Sequence, residues 1–153
     1  MINFYNTKLG VIAIKEENNA ITEIFLTHEK ENIKYESNLM KKAYQEICEY
    51  LEGKRKTFTF KINPKGTTFQ RKVWAKLTEI PYGKTASYKE IAEGINNPKA
   101  YRAVGMANNK NPIMIVIPCH RVIGSDGTLV GYGGGLEVKE YLLNLERENN
   151  GNI

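Results

Sequence analysis

Five apolar residues, Ile113-Met114-Ile115-Val116-Ile117, are closed on both sides by proline, Pro112 and Pro118, and run directly into Cys119-His120-Arg121. Proline fixes its own φ and supplies no backbone donor. A β-branched run between two of them predicts a short buried strand that ends where the cysteine begins. A thiol at that end, with an imidazole and a guanidinium directly behind it, is a candidate activated nucleophile. The thiolate is the reactive form, and nearby positive charge lowers the thiol pKa. Successive strand residues point to opposite faces, so His120 would reach Cys119 around a turn or through a water. A packed core cysteine is the competing account, and spacing alone favours neither.

Upstream, Val11-Ile12-Ala13-Ile14 and Ile21-Thr22-Glu23-Ile24-Phe25-Leu26 flank the turn-like Glu17-Asn18-Asn19-Ala20, which predicts a hairpin among short strands. His28 lies in a polar stretch and reads as a solvated loop residue. Residues 38–52 read as an amphipathic helix with Leu39, Ala43, Ile47 and Leu51 on one face, Cys48 packed beside them and Gly53 as its stop. Phe58, Phe60 and Ile62 alternate with Thr59 and Lys61, the pattern of another strand. Asn63-Pro64-Lys65-Gly66 marks a change from strand to helix. An N-terminal α/β domain over residues 1–63, a second domain over 66–148 and a tail over 149–153 are therefore expected.

From Thr68 the pattern is helical, with Phe69, Val73 and Leu77 on one face, Trp74 adjacent and Pro81-Tyr82-Gly83 as the stop. Ser87 and Glu90 fit a capping box that opens a short helix. After Gly94-Ile95-Asn96-Asn97-Pro98, a second helix is expected from about Lys99 to Ala107, making a helix-turn-helix. Ala100, Ala103, Val104 and Ala107 form its inward stripe, and Arg102, Met106 and Asn109 fall opposite. On its own Arg102 reads as an ordinary solvated charge. Gly124-Ser125-Asp126-Gly127 is a turn, and Gly133-Gly134-Gly135 allows close backbone approach. The last helix, from about Val138 to Arg147, has Val138, Leu142 and Leu145 as its stripe. Glu146 falls at the edge of that stripe. Turned inward, it needs a partner, and His120 is the candidate; turned outward, it is a solvated glutamate.

Lys and Arg number 22 against 17 Asp and Glu, for a net charge of +5. That balance permits nucleic-acid binding without establishing it. Two cysteines, Cys48 and Cys119, do not make a disulfide framework, and a reducing compartment such as the cytoplasm follows. No signal peptide and no apolar run long enough to cross a membrane is visible, so no membrane partner is expected.

Ile117-Pro118-Cys119-His120-Arg121-Val122 resembles the active-site signature of the O6-alkylguanine-DNA alkyltransferases. The likeness continues through Pro81-Tyr82-Gly83-Lys84-Thr85, Ser87-Tyr88, Asn97-Pro98-Lys99-Ala100, Arg102-Ala103-Val104-Gly105 and Asn111-Pro112. It resumes at Gly134-Gly135-Leu136 and Lys139-Glu140, in order over roughly residues 66–147. The resemblance implies an N-terminal α/β domain with a small antiparallel sheet, ribonuclease-H-like, and a mostly helical, winged-helix-like C-terminal domain. It implies a monomer that transfers, once, the alkyl group of O6-alkylguanine (and of O4-alkylthymine) in double-stranded DNA to Cys119. His120 and Glu146 would activate the sulfur, and Tyr88 would donate a proton or hydrogen bond to the base. The DNA-facing set would be Arg102, Tyr88, Ala103, Lys99, Met106 and Asn109, entering the minor groove, with Arg102 filling the place of the flipped base. Asn111, Pro118, Arg121, Val122, Tyr132, Gly133 and Gly134 would line or support the base pocket. Gly133 stands where relatives often carry serine. No cofactor is implied. The cysteines and histidines that hold zinc in some relatives are lacking here, so no metal is expected.

Three other functions are weighed against this one. Alkyltransferase-like proteins flag alkylated bases without transfer and replace the nucleophile, commonly with tryptophan, whereas this chain keeps Cys119. A transcription regulator using the helix-turn-helix would join it to an activator module for which the sequence has no room. A thiol hydrolase would need an oxyanion-hole motif, and none is evident.

Overall fold

Asn18 and Asn19 adopt φ of +50° and +62°. This left-handed pair suits a two-residue hairpin turn, and asparagine tolerates it. The pair joins β2 (Gly10–Glu17) to β3 (Ala20–Leu26), while β1 (Ile2–Thr7) lines the other side of β2. The three strands form one antiparallel sheet. The structure, a computed structural model, describes residues 1–29 and 35–150.

Ile12, Ile14 and Ile24 of the sheet are buried, and α1 (Asn38–Leu51) packs against β2 and β3. Ser37 caps α1 by accepting from the Met40 N–H, and Gly53 ends it at φ +77°. The buried face is Met40, Ala43, Glu46, Ile47, Tyr50 and Leu51, whereas Leu39 is only half-buried. His28 is exposed.

Two expected strands do not form. In the Phe58–Ile62 stretch only Ile62 bridges to the sheet, parallel to Ile21. The reason lies in Glu46, whose carboxylate accepts the Thr59 N–H at 2.8 Å and the Thr59 hydroxyl at 2.5 Å. A side chain thereby takes the place of a ladder partner. Phe60 is still buried, as alternation requires. In the second case Ile113 bridges to Ile24, with Ile24 N–H donating to Pro112 O at 2.8 Å and Met114 N–H to Ile24 O at 3.0 Å. Then Ile115 turns the chain at φ +72°. Such a conformation costs a β-branched residue about 1–3 kcal/mol. The proline-bounded run is thus one sheet contact followed by a strained turn.

Contacts divide the described residues into two units: those up to Lys65 with Pro112–Met114, and Gly66–Asn111 with the described residues that follow Met114. The second unit contains α2 (Thr68–Leu77), β4 (Ala86–Ser87), α3 (Tyr88–Gly94) and α4 (Tyr101–Asn109). A single 3-10 turn at Cys119–Arg121, β5 (Val122–Ile123) and α5 (Leu136–Asn149) complete it. Helices α2, α3 and α4 pack on one another, and the buried Trp74 indole N–H donates to Ala107 O at 2.8 Å. β4 and β5 pair in parallel, tying the residues after Cys119 to the start of α3.

Two helical faces are rotated from expectation. On α4 the buried residues are Val104, Ala107 and Asn108, and Ala103 is exposed. On α5 they are Lys139, Leu142, Leu143 and Glu146, while Val138 and Leu145 are half-buried. Among the described residues no helix is long and apolar enough to cross a membrane.

The capping box at α3 forms as read: Ser87 Oγ accepts the Glu90 N–H at 3.0 Å, and Glu90 Oε1 accepts the Ser87 N–H at 3.0 Å. Ser87→Ala should cost about 1 kcal/mol, seen as a lower urea midpoint. An unchanged midpoint would show that α3 does not depend on its cap.

Candidate active site

The strained turn at Ile115 delivers Pro118 and Cys119 to the 3-10 turn, all of whose residues are buried. Consecutive residues there diverge around a tight helix rather than alternating across a strand. Cys119 is 5% exposed, and both cysteines are free thiols. Burial pushes the Cys119 thiol up to about 11, opposed by a hydrogen bond from the Asn111 side chain and by the Lys139 charge. Asn111 also donates from Nδ2 to Ile117 O at 2.7 Å, so one amide steadies both the sulfur and the turn before it.

His120 is fully buried and meets Glu146 through Nε2 and Oε2 at 2.6 Å. Glu146 is also buried and serves more than the imidazole. Arg121 grips it with both forks, Nε to Oε1 at 2.8 Å and Nη2 to Oε2 at 2.9 Å. The Gly83 N–H donates to Oε1 at 3.0 Å. Arg121 Nη1 donates to Ile80 O at 2.8 Å, and its guanidinium stands 5.6 Å from the Tyr82 ring centroid. Burial works to raise the Glu146 carboxyl, but the bonds from His120 and Arg121 prevail and hold it well below the usual carboxylate range. Burial lowers His120, helped by the Arg121 and Lys139 charges and opposed by Glu146, so the resting imidazole is neutral.

Lys139, absent from the expected site, is fully buried. Its ammonium donates to Val122 O at 2.6 Å, Val130 O at 3.0 Å and Gly131 O at 3.2 Å. Burial pulls it down to about 8, and the Cys119 sulfur works the other way. The signal for it was present in the sequence: Lys139 and Glu146 stand two helical turns apart, on either side of Leu142 and Leu143. Gly83, the other unexpected member, occupies φ +79°, and a Cβ there would lie 2.7 Å from the Asn150 side chain.

Tyr88 is half-buried at the start of α3, and its hydroxyl donates to Val130 O at 2.6 Å rather than standing free for a base. Burial raises Tyr88, with Cys119 adding to the effect. Burial likewise raises Tyr132 well above 10, again with Cys119 contributing; its hydroxyl has no hydrogen-bond partner among the described residues. Both phenols are thus protonated and sense the sulfur. Val122 is buried, Gly134 half-buried and Gly133 exposed. A Cβ on Gly133 would lie 3.6 Å from Asn109 O, which sets the pocket loop against the end of α4. Lys99, Arg102, Ala103, Met106 and Asn109 are all exposed on or just before α4, and none joins the buried cluster.

Residues 1–64 match the family described as 6-O-methylguanine DNA methyltransferase, ribonuclease-like domain, and residues 68–148 match its DNA binding domain. The chain is 45% identical over 159 residues to the constitutive methylated-DNA–protein-cysteine methyltransferase of Bacillus subtilis, covering 95% of this chain and 96% of that one. It is 58% identical over 109 residues to the methylated-DNA–protein-cysteine methyltransferase of Methanosarcina barkeri, covering 71% and 69%. The structure of Mycobacterium tuberculosis OGT in complex with DNA matches with a TM-score of 0.87 at 36% identity, covering 97% of this chain and 93% of that one.

Glu146→Gln leaves Arg121 buried beside a neutral amide, which should destabilise the fold by about 3–5 kcal/mol at neutral pH. The folded carboxyl titrates below its unfolded value of about 4.3. Its contribution is therefore complete above that value and lost as pH falls through the lower folded one. The gap in urea stability between native protein and variant should shrink below about pH 4. A gap that does not change with pH would show that the ionised carboxylate is not its source.

Proposed function

Because the chain belongs to the 6-O-methylguanine DNA methyltransferase family, we propose that it repairs DNA by moving the alkyl group of O6-alkylguanine onto its own Cys119. The observation that carries this reading is the buried Cys119-His120-Arg121 turn locked to Glu146. The thiol proton passes to His120, whose Nε2 is held by Glu146, leaving Nδ1 as the accepting nitrogen. The sulfur then attacks the alkyl carbon in line. The S–C bond forms, the C–O6 bond breaks, and the electron pair goes to the guanine, which takes a proton in return. Tyr88 supplies that proton or a hydrogen bond, after its hydroxyl leaves Val130 O. A thioether does not hydrolyse under ordinary conditions, so each molecule reacts once.

DNA is the partner, and the finer reading is a monomer on the minor groove. The reactive carbon is out of reach within a stacked duplex, so the base must leave the stack. Arg102 on the exposed side of α4 fits the vacated place, and Lys99, Ala103, Met106 and Asn109 share that exposed surface. Ala103 facing outward supports a close groove contact better than the inward position does. Helices α3 and α4 form the helix-turn-helix of a winged-helix-like C-terminal domain over 66–148, and the three-stranded sheet with α1 forms a ribonuclease-H-like N-terminal domain over 1–63. Asn111, Pro118, Val122, Tyr132, Gly133 and Gly134 surround the extruded base. Free thiols at Cys48 and Cys119 suit a reducing cytoplasm.

Incubation with O6-methylguanine DNA should add one methyl to the intact mass. That addition should vanish in Cys119→Ala and persist in Cys48→Ala; an unchanged native mass would overturn the transfer reading. Arg102→Ala should slow transfer from duplex DNA by roughly tenfold or more, equivalent to about 1.4 kcal/mol of lost help in flipping. Its reaction with free O6-methylguanine base should be unaffected. Equal slowing on both substrates would remove Arg102 from the DNA-facing role.

A further inference from the structure

Tyr101 opens α4 and takes no part in the site described so far. It is 46% exposed, whereas the buried face of α4 is Val104, Ala107 and Asn108. Arg102 follows it directly. Among the described residues that guanidinium has neither an ion pair nor a hydrogen bond; beside it stands the Tyr101 ring, with its centroid 6.0 Å away. Adjacent helix residues diverge by about 100°, so the contact requires the long arginine to reach back across the turn. Tyr101, Gly105 and Asn109 follow one another at i, i+4 and i+8 and lie along one flank of α4. A Cβ on Gly105 would lie 3.7 Å from the Tyr88 ring, and one on Gly131 would lie 3.0 Å from the Asn109 side chain. That flank therefore faces Tyr88 and the pocket loop, and Tyr101 is its outermost position.

We propose that Tyr101 is the seat of Arg102: its ring holds the guanidinium on the pocket side of α4, ready for the place that a flipped base leaves. The inference rests on Arg102 entering the duplex and names the residue that prepares it. A free arginine gives up rotamer freedom when it enters a groove, and one already resting on a ring gives up less. The attraction between ring and cation is weak in water and strengthens as the duplex excludes water around it. Tyr101 acts through Arg102, which makes it a positioning residue. Its exposure argues against a core-packing role, and no other aromatic ring stands within this distance of the guanidinium among the described residues.

The test times transfer from O6-methylguanine duplex by intact mass in single-turnover reactions. Tyr101→Ala and Tyr101→Leu should each be roughly two- to fivefold slower than the native protein, the size of a cation–π contact at an exposed site. Tyr101→Phe keeps the ring and should keep the native rate. In an Arg102→Ala background, Tyr101→Ala should slow transfer no further. Reaction with free O6-methylguanine base involves no flipping and should be the same in every variant. A native rate in Tyr101→Ala, or equal slowing by it with and without Arg102, overturns the seat and leaves Arg102 in the groove. Slowing by Tyr101→Phe as large as that by Tyr101→Ala overturns it too, since the hydroxyl and not the ring would then matter. So does slowing on the free base, which would place Tyr101 in the fold rather than behind Arg102. If Arg102→Ala alone transfers from duplex at the native rate, the DNA-facing reading of Arg102 fails and the seat falls with it.

Discussion

One carboxylate holds the reactive segment in place. Glu146 joins α5 to the 3-10 turn through His120 and Arg121, and to the Pro81-Tyr82-Gly83 turn through a backbone N–H. These segments are far apart in sequence, and few other contacts could bring all three to one point. Taking a carboxylate out of water is expensive. Here both oxygens are met by donors in good geometry, two of them from a guanidinium fork shaped for the purpose. The result is a fixed imidazole whose Nε2 is committed and whose protonation is opposed by burial and by two neighbouring cations. The sulfur of the same turn is buried, and that burial holds its thiol protonated.

The division of labour between the two buried cations follows from helix geometry. Lys139 and Glu146 lie seven residues apart on α5, on the same face, with Leu142 and Leu143 between them. The helix thus presents a cation to the carbonyls of the loop after the nucleophile and an anion to the nucleophile's own turn. A charged face of this kind is the opposite of what amphipathic patterning assumes. Counting only apolar residues on α5 therefore picks Val138, Leu142 and Leu145 and misses the true inward face.

What the sequence made legible was whatever local chemistry decides. The Asn18-Asn19 turn, the Ser87–Glu90 cap and the Gly53 stop each depend on residues a few positions apart, and each appears where it was read. The pairing of His120 with Glu146 was legible as a need: an inward glutamate requires a partner. Misreadings arose where a distant group competes for the backbone. Alternation at Phe58, Phe60 and Ile62 is real, but Glu46 takes the Thr59 N–H, so the segment buries its aromatic residue without becoming a strand. The run from Ile113 to Ile117 has strand composition, yet after one bridge to Ile24 the chain is reversed at Ile115. The grip of Arg121 on Glu146 had no local signature at all, since it is settled by a partner on another element.

The segment Pro112–Met114 completes the sheet of the first unit, although nearly fifty residues of the second precede it in the chain. Its backbone supplies both partners of Ile24, an acceptor at Pro112 and a donor at Met114. A polypeptide severed after Lys65 would leave those two groups of a fully enclosed isoleucine facing nothing. The amino-terminal portion is therefore not an autonomous cassette that recombination could move at will. Its integrity is inherited from residues encoded only just ahead of the sulfur itself.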